Sequence, residues 1–408
     1  MGATETSVNN QPYGIPQGQW PPIMTPWWFH LTKPSCRNAL RKQKILSIQA
    51  QGLEHLQNTI DAKHGVLLTP NHSFHWDSYC LIAAAEKLGM PFYIMTAWQV
   101  FATSSWFQRL SMQRCGCFSV DREGTDTQAI KTAVDILQNR PHPLTIFPEG
   151  DVYHTNDRVT PFRDGAAAMA LMAARKSERP ISIIPVAIKR WYVDDPTPSL
   201  IRTVEELEKR LFWRPQLEKP LTDRILHVAQ GILSLKELEH LGTTQVGSLS
   251  ERIERLSSVI LSRSEQRYSL KTKQVLIPER VKEVRRTIIA ARETAAETAT
   301  GDQHRQWSAD MEDMFLVTQL YSYPGNYLLE HPSIERMAET LDKLEEDALS
   351  AEYPTVHGER EVLVRFDHPI ELPMGKDKRL APADLTDQIE QRVQCMLNEM
   401  NIQRAMKA

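Results

Sequence analysis

The sequence has no apolar run long enough to cross a bilayer. Spanning takes about 20 predominantly apolar residues, and the longest such stretch here lies near Ala166–Ala174. Any membrane contact is therefore expected to be peripheral. Cysteine is sparse: Cys36, Cys80, Cys115, Cys117 and Cys395 are scattered and odd in number. That argues against a disulfide framework and suits a reducing, cytoplasmic compartment. Cys115-Gly116-Cys117 has no second Cys/His pair at zinc spacing nearby, so no metal site is expected there. The first residues are polar and proline-rich, without the pattern of a secretory leader. Acidic residues are missing from two windows, between Glu5 and Glu54 and from Lys87 to Val120. The net charge of −3 averages over such segments, and no nucleic-acid partner is expected from it.

What is present is a globular composition, 41% apolar and 24% charged, over 408 residues. That length allows two domains or one decorated domain with a substantial core. Residues 1–19 read as a disordered polar leader. The segment after it, within a leader-and-arm region assigned to residues 1–43, combines Trp20, Trp27, Trp28 and Phe29 with Lys33, Arg37, Arg41 and Lys42. Indoles favour the water–lipid interface and basic residues favour anionic leaflets. The competing expectation is that these tryptophans pack on the domain behind them.

From Lys44 onward, strand and helix patterns alternate. Strands are expected over 45–50, 65–70, near 91–95, 117–120, 144–147 and 181–188. Helices are expected over 53–62, from the mid-70s to about 88, over 125–138 and over 165–175. This cadence predicts an α/β fold, a mostly parallel mixed sheet flanked by helices. Residues 191–355 carry almost no strand signal. They hold amphipathic stretches at about 199–213, 221–240, 248–265, 278–298, 306–322 and 333–348, punctuated by Pro220, Gly242, Pro278, Gly301 and Pro332. A strand then returns at Glu361–Phe366, with a final helix at about 383–400. A lone strand is marginal, so the expected layout is an αβ domain of residues 44–190 and 356–408, interrupted by a large helical insertion at 191–355.

Four stretches carry candidate chemistry. In Asn71-His72-Ser73-Phe74-His75-Trp76-Asp77, a strand end leads into a helix. On a helix, His72 and Asp77 would lie roughly 140° apart, so residues 72–76 must turn for the carboxylate to reach the imidazole. Such a carboxylate would fix the tautomer and leave the other ring nitrogen to take a proton. Ser73, His75 and Cys80 are competing candidates. Gly116-Cys117-Phe118-Ser119-Val120-Asp121-Arg122 puts an arginine at a strand end, where its planar fork suits a phosphate or carboxylate. Alternatively, Arg122 forms a surface ion pair with Asp121 or Glu123. In Phe147-Pro148-Glu149-Gly150 a carboxylate stands beside a glycine that permits close backbone approach. Glu149 is placed to bind hydroxyls of a ligand or to hold Arg122, or the four residues are only a structural loop. Pro185, in Ile183-Ile184-Pro185-Val186, is a proline inside a strand, expected only at an edge or a constriction. His72, Arg122 and Glu149 all fall at strand carboxyl ends, where α/β sheets place reactive groups.

Together these stretches resemble the glycerolipid (lysophospholipid) acyltransferase family, typified by lysophosphatidic acid acyltransferase. Asn71, His72 and Asp77 match its N-H-x-x-x-x-D motif. Gly116, Phe118 and Arg122 match G-x-F-x-x-x-R, and Phe147, Pro148, Glu149 and Gly150 match F-P-E-G. Pro185 matches its fourth, apolar strand. The likeness covers about residues 44–190 and 360–400. It implies transfer of a fatty acyl group from acyl-CoA or acyl-carrier protein to the hydroxyl of a lysophospholipid or glycerol phosphate. His72 would be the general base and Asp77 its orienter. Arg122 would bind the acceptor phosphate, with Glu149 and Gly150 shaping the acceptor site. No cofactor, prosthetic group or metal is needed for such chemistry. The implied partners are the lipid acceptor, the thioester and the membrane surface. One departure matters: after F-P-E-G the family usually has threonine, whereas Asp151 and Val152 stand here. A carboxylate beside an expected phosphate is unfavourable unless Arg122, Arg158 or Arg163 offsets it. The alternatives are O- or N-acylation of a non-phosphorylated lipid, or a catalytically silent lipid-binding protein. The acceptor, the acyl length, the role of the insertion and the oligomeric state are not legible in the sequence.

Overall fold

The structure, a computed structural model, describes residues 18–406 apart from 123–125, 213, 272–275, 296–297, 350, 352 and 376–379. Nearly all of the expected leader, and Glu123 beside Arg122, lie outside the described residues. The chain falls into two compact units. One ends at Asp195 and resumes at Gly358, and the other spans Pro196–His357.

The first unit runs α1 (Pro26–Lys42), β1 (Ile45–Gln51), α2 (Leu53–Asp61), β2 (Gly65–Pro70), α3 (Asp77–Ala84), β3 (Tyr93–Ala97), α4 (Trp98–Thr103), α5 (Trp106–Arg114), β4 (Cys117–Val120), α6 (Thr127–Asn139), β5 (Leu144–Thr145), α7 (Gly165–Ala174) and β6 (Ile181–Tyr192). The second unit contributes α8 (Thr197–Leu211), α9 (Leu221–Leu241), α10 (Leu249–Arg267), α11 (Ile277–Thr294), α12 (Gly301–Tyr321), α13 (Tyr327–Glu330) and α14 (Ile334–Leu349). The chain then completes the first unit with β7 (Arg360–Phe366), β8 (Ile370–Glu371) and α15 (Pro382–Ala405).

The described strands form one sheet of order β1-β7-β6-β2-β5-β3-β4, with β8 beside β6. All pairings are parallel except those of β6 with β7 and β8. The expected α/β class with a mostly parallel mixed sheet and a helical insertion is what the chain adopts. The near-continuous apolar runs of β2 and β6 follow from burial on both faces. Leu67, Ile181 and Ile183 pack with residues of α6, α7 and α15, whereas Val66, Leu68, Ile184 and Val186 pack with Leu56 of α2 and Cys80, Leu81 and Ala84 of α3.

Several details depart from the sequence reading. Residues 26–42, for which no element was assigned, are helical. Pro26 sits in the first turn, where its missing N–H costs nothing, while Pro34 inside the helix masked the pattern. The ladder of β5 stops at Thr145, although Ile146 N still donates to Leu68 O at 3.0 Å. Pro185 does not lie on an edge strand: β6 lies inside the sheet, between β7 and β2. A strand residue turns its N and its C=O to the same side, and Pro185 O accepts from Asp367 N at 3.0 Å. The missing N–H therefore faces Asp367, just past the end of the β7 ladder, so the proline removes one bond at the ladder's end.

Among its described residues the second unit has helices and no strands. Gly242, at φ +74°, ends α9, and capping boxes open α10 (Ser248 with Glu251) and α12 (Thr300 with Gln303). Three arginine–carboxylate forks link successive helices. Arg224 meets Glu208 at 2.7 and 3.1 Å, Arg252 meets Glu237 at 2.8 and 2.9 Å, and Arg280 meets Glu265 at 2.8 Å twice.

Candidate active site

The loop after β2 turns at residues 74–76, with Asp77 N donating to Phe74 O at 3.0 Å, and Asp77 opens α3. That turn brings Asp77 Oδ2 to 3.2 Å from His72 Nδ1. The same oxygen accepts the N–H groups of Ser73 and Phe74, each at 2.8 Å. Asp77 is fully buried, while a fifth of the His72 side chain remains exposed. A buried carboxylate held by two backbone donors has one orientation available, so the imidazole it meets is oriented too. Asn71 fastens the base of the loop to β6, donating to Ile188 O at 3.0 Å and accepting from Ile188 N at 2.7 Å.

Phe147-Pro148-Glu149-Gly150 forms a tight turn closed by Gly150 N donating to Phe147 O at 3.1 Å. Proline at the second position and glycine at the fourth are what a type I turn favours. Gly150 has φ +80°, and a Cβ there would lie 2.8 Å from Arg163 Nε. Glu149 turns inward. Its carboxyl accepts His72 N at 2.6 Å and Thr160 N at 3.0 Å, and the residue is 2% exposed. Burial pushes this carboxyl up to about 8, against the two N–H bonds that pull it down. Glu149 therefore ties the histidine loop to residue 160. The Phe147 ring lies 4.2 Å from that of His72.

Arg122 follows β4 and donates to Gly150 O at 2.5 Å. Its guanidinium also faces the Asp151 carboxylate at 3.5 Å. Burial works to raise the Asp151 carboxyl, but Arg122, the Val152 N–H, Arg163 and His72 outweigh it and hold the group below its ordinary range. The cation expected to offset Asp151 thus stands beside it. Gly116, at φ +92°, has Phe92 O 2.9 Å from where a Cβ would be. Phe118 is a buried core side chain and Pro185 lies within β6. The structure thus gathers His72, Asp77, Phe147 and Glu149 closely, and Arg122 with Gly150 and Asp151. Gly116, Phe118 and Pro185 sit in the framework around them.

Among the competing candidates, Cys80 is fully buried, and burial pushes its thiol far up. A thiol held protonated is a poor nucleophile. Ser73 Oγ is also buried. Sequence reasoning missed Arg190, whose Nη1 lies 3.7 Å from Asp77 Oδ1 and whose Nη2 donates to Ser73 O at 3.3 Å. It also stacks over the Phe74 ring at 4.2 Å. The available signal was Lys189-Arg190 at the end of a strand that is otherwise apolar, since buried cations need partners. Lys189 finds one in Asp157.

Residues 47–189 match the family described as Acyltransferase. A 1-acyl-sn-glycerol-3-phosphate acyltransferase of Streptococcus pneumoniae is 30% identical over 135 residues, which is 32% of this chain and 47% of that protein. The chain thus spans about half the length of that relative.

Proposed function

We propose that the chain is a glycerolipid acyltransferase, a reading supported by the match of residues 47–189 to the Acyltransferase family, and that it moves a fatty acyl group from an acyl thioester to a lipid hydroxyl. The observation that carries this is the His72–Asp77 pair, with the carboxylate buried and locked and the imidazole reachable. With Nδ1 taken by Asp77, Nε2 is left to accept the acceptor's hydroxyl proton. The oxygen attacks the thioester carbonyl carbon, the C–S bond breaks, and the imidazolium returns its proton to the departing thiolate. The ester and the free thiol are the products, and the base is regenerated. The donor is acyl-CoA or acyl-carrier protein. Glu149 acts here as a positioning residue, because its carboxyl is spent on the His72 and Thr160 backbone rather than turned to a ligand.

The acceptor is a lysophospholipid or glycerol phosphate, with Arg122 receiving the phosphate. A specific observation favours a second reading: Asp151 already faces Arg122 at 3.5 Å, which suits an acceptor lacking phosphate. Purified protein with acyl-CoA and a panel of phosphorylated and neutral lipid hydroxyls separates the two. Acylation only of neutral acceptors would favour the second reading. If no acceptor is acylated, or if His72→Ala keeps its activity, the acyl-transfer mechanism falls and a silent lipid-binding role replaces it.

Peripheral membrane attachment is part of the same proposal. No helix of the described residues is long and apolar enough to cross a membrane. Trp27, Leu31, Trp106 and Phe107 are exposed on α1 and α5, and Trp28 joins these helices by an edge contact with Phe107 at 6.2 Å. Exposed indoles and an apolar patch of this kind suit a lipid interface. Trp20, by contrast, stacks on Phe101 at 5.4 Å, and Lys33 and Arg37 are engaged with Glu86. Flotation with anionic vesicles tests this: Trp27→Ser with Trp106→Ser should abolish binding, and unchanged flotation would overturn it.

A further inference from the structure

Helix α14 places Asp342 and Glu345 one turn apart on the same face, and the segment after it brings His357 back to them. All three side chains are buried, and their ligand atoms lie within 4.8 Å of one another. His357 Nε2 and Asp342 Oδ1 face each other at 3.2 Å. Neither atom makes a hydrogen bond, with the other or with anything else. Two buried lone-pair atoms at that separation repel unless something positive stands between them. Ligands about 2.0–2.1 Å from one ion stand about 3.0–3.4 Å apart, and the observed edge falls in that range.

The surroundings have the form of an outer shell. His357 Nδ1 meets Ser199 Oγ at 3.1 Å. If Nδ1–H donates there, Nε2 is the bare nitrogen a metal requires. Glu345 is held through both oxygens, accepting Thr355 N at 2.9 Å and Thr355 Oγ1 at 2.5 Å. Each carboxylate oxygen keeps a second lone pair.

We propose that Asp342, Glu345 and His357 bind a divalent cation. One imidazole and two carboxylates are a donor set suited to Zn2+ or Mn2+, with water completing the sphere. The ion would fasten α14 to the segment 353–357 inside the helical unit, and its place is structural, since the acyl transfer proposed above needs no metal.

The test uses the full chain, stripped with EDTA, dialysed, and titrated calorimetrically with ZnCl2 and separately with MnCl2, beside melting curves with and without each metal. One equivalent of at least one ion is expected to bind and to raise the melting temperature. Asp342→Asn and His357→Gln should weaken binding at least tenfold and remove the metal-dependent rise, and Ser199→Ala should weaken it several-fold. Cys395→Ser should change neither, which separates the site from the exposed thiol. Wild-type protein that takes up neither ion and shows no melting shift overturns the proposal, whether or not the variants fold. Variants that bind as tightly as wild type overturn it equally.

Discussion

Replacing Glu149 with glutamine should change how stability depends on pH, and the direction follows from the site. The carboxyl is 2% exposed, and burial raises it from 4.5 to about 8. A group whose folded value is raised holds its proton more tightly in the folded state than in the unfolded chain. Its favourable contribution is full below 4.5 and is lost as pH rises through the folded value, reaching its limit just above 8. That gap corresponds to a loss on the order of 4–5 kcal/mol. Glutamine leaves only one acceptor for the N–H groups of His72 and Thr160, each of which now meets its own carboxyl oxygen, whereas the hydroxyl oxygen of the protonated acid can still accept; the variant therefore carries a deficit, but one that does not titrate. Near pH 5 wild type should therefore be the more stable of the two, by an amount set by the lost acceptor. The difference should shift from about pH 5 to about 8.5, with wild type falling relative to Glu149→Gln. The assay is urea unfolding of both proteins across about pH 5–9.5, taking the difference so that every other titrating group cancels. Parallel curves over the whole range would refute the reasoning, because they would mean that Glu149 ionises alike in both states.

Three further outcomes follow from the same geometry. At 3.7 Å and an effective dielectric near 20, the Arg190–Asp77 attraction is about 4 kcal/mol before desolvation. A double-mutant cycle with Arg190→Met and Asp77→Asn should therefore show coupling of at least about 1.5 kcal/mol; additivity within about 0.5 kcal/mol would sink the pairing. Gly150→Ala forces a Cβ toward Arg163 at φ +80° and should cost about 1–2 kcal/mol in urea unfolding, with wild-type stability as the contrary result. Pro185→Ala should shift stability by less than about 1 kcal/mol, since the N–H it restores lies at the end of the β7 ladder, opposite Asp367; a large loss would show that the ring itself is needed.

The sheet was legible because parallel strands buried on both faces announce themselves as apolar runs, and Val66–Leu68 and Ile181–Ile188 are such runs. Val362–Phe366 was legible as a strand, but its membership of the sheet only by the argument that a lone strand is unstable. Its place between β1 and β6, and its antiparallel sense beside β6, depend on contacts between residues far apart in the chain, such as Ile188 with Val364, that no local pattern encodes. The five-residue separation of His72 and Asp77 announced a turn, and the turn is there. The inward aim of Glu149 was not readable, because its partners are backbone N–H groups and any residue but proline supplies those. Arg190 was hidden for a related reason: its carboxylate is 113 positions away, and only the presence of a cation at the end of a buried strand hinted at it.

The forks of the helical unit have a consequence for its response to heat. Their arginines, Arg224, Arg252 and Arg280, recur every 28 residues, so each helix from α9 to α11 is keyed to its predecessor by one charged clasp. Glu208 and Glu237 are fully buried, which makes sliding one helix along the next by a turn strand a charge without water. Apolar contacts alone tolerate such slippage far better. Charge desolvation becomes less costly on warming, so the clasps account for a growing share of cohesion as temperature rises. The unit's alignment should therefore outlast much of its apolar packing strength, holding register up to the point at which it melts.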